Sequence, residues 1–307
     1  MQPQEFKDLM KSGLGRLFER LDQDMPLIAP QLHSWAKGLA RSEEPANYFL
    51  HPIAFPLMLL PWWLERQLRG TCDEAFQVDL ISSNASLYYY IRLVDNVMDG
   101  HATIEPKLLP ATGYFVNQFH SIYHSYFQLG HPFWDFFDRT WSTFCDVTAA
   151  DGRLSEVVAE TFTSLIARKV SAAKISVAAV CYQYNYPDLV PQWEEWIDLF
   201  GCWHLFREDL FDWQQDLKLG AITYFLSEAK RRKSGAEIEV NWIAREGLDW
   251  ALDQLKGWMA QLRQMTFVSP DVSAYLEFRE KEVLERQEIL RPALKTIEQL
   301  WVGGKYE

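Results

Sequence analysis

The sequence predicts an all-α fold, read as a single-domain helical bundle around a central apolar cavity. Three observations carry that expectation. Apolar residues recur at three- and four-residue spacing through nearly every stretch between proline and glycine breaks. Alternating runs of strand length are few, and there is no strand–helix–strand pattern or short-period repeat. Aromatic residues make up 15% of 307 residues, with thirteen tryptophans and nineteen phenylalanines. That richness suits the wall of an apolar cavity, although an aromatic core without a ligand has the same composition.

Taken in order, Phe6, Met10, Leu14, Leu17, Phe18 and Leu21 set a helix over 4–23. Pro26 and Pro30 punctuate before a second helical stretch over 31–40. Residues 53–69 read as a helix rich in Leu and Trp, stopped by Gly70. The segment 76–98 is apolar on nearly all sides, which places it at a bundle centre, with Gly100 as its cap. Pro106 and Pro110 mark a loop. Helices then follow over 112–128, 132–149, 153–182, 189–217, 221–231, 240–266 and 271–301, with an exposed basic loop at 231–235. No linker or composition shift interrupts them, so one domain is expected.

The net charge of −12 argues against a nucleic-acid partner, whose phosphates need a basic surface. Four cysteines, at 72, 145, 181 and 202, form no Cys-x-x-Cys pair, as expected of reduced thiols in a cytoplasmic protein. The first residues lack the basic-then-apolar signal pattern. The most apolar run, 48–64, is interrupted by His51, Pro52, Pro56 and Pro61, so no integral membrane segment is expected.

Two stretches carry chemistry. In Tyr88-Tyr89-Tyr90-Ile91-Arg92-Leu93-Val94-Asp95-Asn96-Val97-Met98-Asp99, two aspartates stand four apart near a helix C-terminus. The helix dipole disfavours negative charge there. In Glu208-Asp209-Leu210-Phe211-Asp212-Trp213-Gln214-Gln215-Asp216, four acids occupy nine residues of a helix otherwise apolar. Spacing of four stacks side chains on one face, about 6 Å apart along the axis. Like charges so placed repel by about 0.2–0.5 kcal/mol in water. An acidic helix end explains either stretch alone; both together suggest a hard cation such as Mg²⁺, which takes oxygen ligands. Arg168, Lys169 and Lys174 supply positive charge within an apolar helix. Lys174, between Ala173 and Ile175, is either a snorkelling edge residue or an anion ligand.

Asp95-Asn96-x-x-Asp99 followed by Asp212-x-x-x-Asp216-x-x-x-Gly220 resembles the class I trans-isoprenyl diphosphate synthase superfamily. The likeness is to its squalene/phytoene synthase arm and related bacterial terpene synthases. It covers roughly residues 80–230 and includes the trailing Thr223-Tyr224-Phe225-Leu226. Glu208-Asp209-x-x-Asp212 is similar to the second acidic motif of chain-elongating prenyl synthases. The resemblance implies an isoprenoid-synthase fold with Asp95, Asp99, Asp212 and Asp216 as catalytic Mg²⁺ ligands, joined by Glu208 and Asp209. It implies that Arg92 and one of Arg168, Lys169 or Lys174 meet a diphosphate, with Tyr88 and Tyr224 at the substrate. The chain departs at Ala221, where phytoene synthases carry arginine. Gly13-Leu14-Gly15 is no dinucleotide fingerprint, so a nicotinamide cofactor is unsupported.

The expected activity is therefore Mg²⁺-dependent ionisation of an allylic prenyl diphosphate by a terpene synthase, the two acid pairs lining the cavity mouth. The alternatives are a prenyltransferase condensing two prenyl diphosphates, and a non-catalytic scaffold binding a prenyl lipid or a protein. The expected partner is the prenyl diphosphate, with room for a homodimer. His120-x-x-x-His124 has metal-ligand spacing, but packing among Tyr123, Tyr126 and Phe127 accounts for it better. A nucleophilic serine or cysteine finds no supporting motif.

Overall fold

Pro3, with no N–H to lose, precedes the first helix, α1 (Gln4–Asp24). In chain order there follow α2 (Ala29–Ala40), α3 (Ala46–Phe49), α4 (Leu59–Arg69), α5 (Glu74–Met98), α6 (Glu105–Leu108), α7 (Pro110–Ser121) and α8 (Pro132–Asp151). The chain continues through α9 (Ala159–Ser164), α10 (Ala173–Gln183), α11 (Val190–Leu219), α12 (Tyr224–Arg232), α13 (Glu239–Trp242), α14 (Leu248–Gln264) and α15 (Pro270–Gly303). This computed structural model describes residues 3–98, 105–151, 153–233, 238–265 and 267–303, and no strand occurs among them. The all-α expectation holds. No helix among the described residues is long and apolar enough to cross a membrane. The chain gathers into two compact units, Met1–Phe136 with Ser176–Pro187, and Phe137–Ile175 with Asp188–Glu307.

In the first unit, α1 lays Phe6, Leu9, Met10, Leu14, Leu17 and Leu21 inward. Gly13 lies on the same stripe. A Cβ there would stand 2.5 Å from the Ile81 side chain and 3.0 Å from the Val78 carbonyl, so glycine lets α1 approach α5. Helix α5 is buried on most sides, as its apolar sequence implies, and some of its polar groups find partners. Ser83 Oγ donates to the Phe119 carbonyl at 2.9 Å, and Asn84 Nδ2 donates to Ser176 Oγ at 3.1 Å. Glu65, fully buried on α4, accepts from Gln77 Nε2 (2.7 Å), the Asp73 N–H (2.7 Å), Tyr184 Oη (2.5 Å) and Arg69 Nη1 (3.0 Å). Three donors converge on Oε1 and one on Oε2, so both carboxylate oxygens are satisfied, which is what a buried charge requires. The helix expected over 53–69 begins only at Leu59, because Pro52 and Pro56 hold the preceding residues in turns.

In the second unit, the long helix expected over 153–182 is broken. Helix α9 stops at Ser164, a 3₁₀ turn spans Ile166–Val170, and α10 restarts at Ala173. Thr163 and Ser164 turn their hydroxyls back onto the carbonyls of Ala159 (2.9 Å) and Glu160 (2.7 Å), a pattern that loosens a helix end. The turn is pressed against α11 at Gly201, where a Cβ would sit 2.7 Å from both the Ala167 carbonyl and Val170 Cγ2. The helix expected over 240–266 likewise carries one π-helical turn at Ile243–Gly247, between α13 and α14. There Gly247 lies beneath the Trp242 ring.

Candidate carboxylate site

Helix α11 buries Trp193, Trp196, Phe200, Trp203, Phe206, Leu210 and Trp213 along one side. At about 100° per residue, Asp209 lies next to that stripe, Asp216 about 20° further round, Asp212 about 60° and Glu208 about 100°. Burial follows the angle. Asp209 and Asp216 are half-buried, while Asp212 and Glu208 are exposed. The acids form a graded stripe at the edge of the hydrophobic face.

Asp209 is turned to a structural task. Its Oδ2 accepts the Tyr224 N–H at 3.1 Å, and the Phe225 N–H also bonds to it. It therefore caps α12, alongside Thr223, whose Oγ1 accepts the Leu226 N–H at 3.3 Å. Although the residue keeps some surface, its carboxyl is enclosed by protein. Burial first, then the nearby Asp216 charge, pushes its pKa up to about 8, against the opposing pull of the two N–H groups. Burial and the Asp212 charge also raise Asp216.

Behind the stripe stands a buried charged cluster that the sequence did not announce. Arg207 donates to Glu282 through Nε (2.8 Å) and Nη2 (2.5 Å). Arg279, fully buried, donates to Tyr275 Oη (2.5 Å) and lies 3.3 Å from His204 Nδ1, with its guanidinium 5.0 Å from the centre of the Trp203 ring. Burial and the two arginines hold the His204 pKa well below the ordinary value. A neutral His204 with Nδ1 accepting from Arg279 keeps its proton on Nε2, 3.5 Å from Glu208 Oε1. The cluster ties α11 to α15. Arg279 stands on an acidic-basic helix with no local motif, so its role could not be read from sequence.

The other predicted residues are placed as follows. In the first unit, Arg92 donates through Nη2 to Asn96 Oδ1 at 3.1 Å, with half-buried Asp95 one turn along from it. Tyr88 packs its ring on Tyr48 (4.8 Å) and Phe49 (5.1 Å), and burial raises its phenol pKa. Tyr89 Oη and Arg92 Nε are buried with no hydrogen-bond partner among the described residues. Asp99 and Gly100 lie outside the described residues. In the second unit, Arg168 is exposed, while Lys169 pairs with Asp151 at 2.6 Å. Lys174 is buried and pairs with Asp198 at 2.7 Å, so it neither snorkels nor stands open to an anion. The expectation that these three lie on one helix is corrected, since Arg168 and Lys169 belong to the 3₁₀ turn. Tyr224 is also a core residue, stacked on Phe162 (4.9 Å) and edge-on to Trp250 (5.7 Å). His120 and His124 pack against Trp134, at 5.0 and 4.3 Å between ring centres, in line with the packing reading.

No family model matches the chain, and neither does a curated protein or a solved structure.

The donor set fits Mg²⁺. Asp212 and Asp216 offer hard oxygen ligands, and the Asp212 charge, which after burial raises Asp216, is what a divalent cation would relieve. Among the described residues no three His, Cys, Asp or Glu side chains are grouped as a metal-ligand set. Mg²⁺ commonly binds through one or two carboxylates and keeps several waters.

Proposed function

We propose that this protein is a class I terpene synthase-like enzyme of the cytoplasm, ionising an allylic prenyl diphosphate with release of pyrophosphate. The observation that carries the reading is the graded stripe of Asp209, Asp216 and Asp212, where burial first and neighbouring carboxylate charge second raise two carboxyls beside an aromatic face. A surface patch kept only for solubility has no need to crowd acids against a buried stripe.

In this reading Asp212 and Asp216 hold Mg²⁺, as do Asp95 and Asp99. The ion, when bound, neutralises diphosphate oxygens and assists departure of the leaving group. Asp209 keeps α12 in place beneath the stripe, and Glu208 is steadied by His204. Arg92, one turn along α5 from Tyr88, donates hydrogen bonds to diphosphate oxygen. The allylic carbon–oxygen bond breaks heterolytically, its electron pair leaving with pyrophosphate. Aromatic side chains keep water from the resulting cation and stabilise it through their ring faces.

One set of observations favours a second reading, a helical scaffold that binds a prenyl lipid without turning it over. Asp209, Lys169 and Lys174 are all engaged within the protein. The two readings separate in one experiment. Purified protein is incubated with geranyl, farnesyl and geranylgeranyl diphosphates, singly and in pairs, with Mg²⁺. Pyrophosphate release and a hydrocarbon or alcohol product by mass spectrometry support the enzyme, and a product from two substrates supports condensation. No release from any combination refutes catalysis.

A further inference from the structure

The last turn of α11 and the loop that joins it to α12 carry large apolar side chains into solvent. Leu217, Leu219 and Ile222 are 38%, 57% and 47% exposed within six residues. Helix α11 has already ended at Gly220, whose φ of +69° suits glycine, and α12 does not begin until Tyr224. Leu217 and Leu219 stand on the exposed side of the last turn of α11 and Ile222 in the loop that follows, so helix packing covers none of the three. Its neighbours are cationic. Between 218 and 233 stand five lysines and arginines against a single carboxylate, Glu228, in a chain whose net charge is −12. Glu228 is buried and pairs with Arg231 and Arg232 (2.6 Å to Arg232). Glu156 pairs with Arg231 at 3.2 Å and Glu239 with Lys233 at 3.1 Å. Lys218 and Lys230 form no salt bridge among the described residues, although Lys230 is near enough to Glu239 to help lower its pKa. A groove of about 580 Å³ brings the two features together, lined by Leu217, Ile222, Lys230 and Arg231 together with Glu156 and Glu239.

We propose that this turn is a docking surface for an anionic lipid bilayer. Exposed aliphatic side chains gain by leaving water for the acyl boundary, and lysines beside them meet lipid phosphates. Neither element suffices alone, because a few half-exposed leucines bind weakly and the overall charge opposes an anionic surface. Their juxtaposition supplies both. Binding is peripheral, since no described helix is long and apolar enough to span. The inference stands apart from any catalytic reading of the carboxylates.

The test is co-sedimentation of the full chain with vesicles of phosphatidylcholine alone and of phosphatidylcholine with phosphatidylglycerol. Binding is expected to the anionic vesicles and to weaken as salt is raised. Leu219→Asp and Ile222→Asp should each reduce it roughly tenfold, and Lys230→Glu should reduce it at low salt. Leu129→Asp, at a site 87% exposed in the first unit, should leave binding unchanged. Unaltered urea midpoints would show that each variant is folded. The proposal is overturned by absence of binding to either vesicle, by equal loss in the Leu129 variant, or by concentration-dependent self-association through the turn without vesicle binding.

Discussion

Replacing Asp209 with asparagine should remove a titrating group while keeping the acceptor that caps α12. Native Asp209 holds its proton to about 8, whereas the unfolded chain releases it near the ordinary 3.8. Between those values the folded state binds more protons, so stability is lost as pH rises and levels off above about 8. Each pH unit well inside the window is worth about 1.4 kcal/mol, so the loss between pH 6 and 8 comes to about 2 kcal/mol. Asp209→Asn should show none of this slope, because its amide oxygen accepts the Tyr224 N–H at any pH. Urea unfolding of both proteins at pH 6, 7 and 8, followed by tryptophan fluorescence, measures the difference. The variant should gain on the wild type as pH rises. A constant offset across the range would refute the claim that a buried, charge-crowded carboxyl sits at this position. Mg²⁺ adds a further arm. A divalent ion held by Asp212 and Asp216 offsets the Asp216 charge, the smaller cause after burial, so it should lower the pH at which the wild-type slope levels off, without reference to turnover.

Other expectations follow from particular contacts. Gly201→Ala forces a methyl against the Ala167 carbonyl and Val170, and should cost about 1–3 kcal/mol in urea unfolding. Glu65→Ala strands the Gln77 amide, the Tyr184 hydroxyl and the Asp73 N–H in a buried site, and should cost about 3–5 kcal/mol by the same assay. Asp95→Ala and Asp212→Ala should each abolish pyrophosphate release at an unchanged unfolding midpoint. If the two motifs serve one ionisation, the double variant should be no worse than either single one.

Helix identity was largely legible in the sequence, because the spacing of apolar residues reports which face is buried whatever that face meets. Helices α1, α5 and α11 lie within two residues of their expected ends, since proline, glycine and long apolar stripes act locally. The stripe of Glu208, Asp212 and Asp216, with Asp209 one turn before Asp212, was legible for the same reason, helical angle being a property of spacing alone. Its gradation was not. Asp209 caps α12 because a second helix begins against it, and that depends on a partner fifteen residues away in sequence. The break between α9 and α10 also escaped notice, although Gly201 in the middle of α11 was its one available sign of a close backbone approach. Lys174 shows the limit most plainly. Its apolar neighbours left a snorkelling edge residue and an anion ligand both open, but a buried ammonium needs a counter-charge, and only tertiary packing could choose Asp198. What residues do to their own helix is written in their order; which charges they must neutralise depends on what folding brings within a few ångströms.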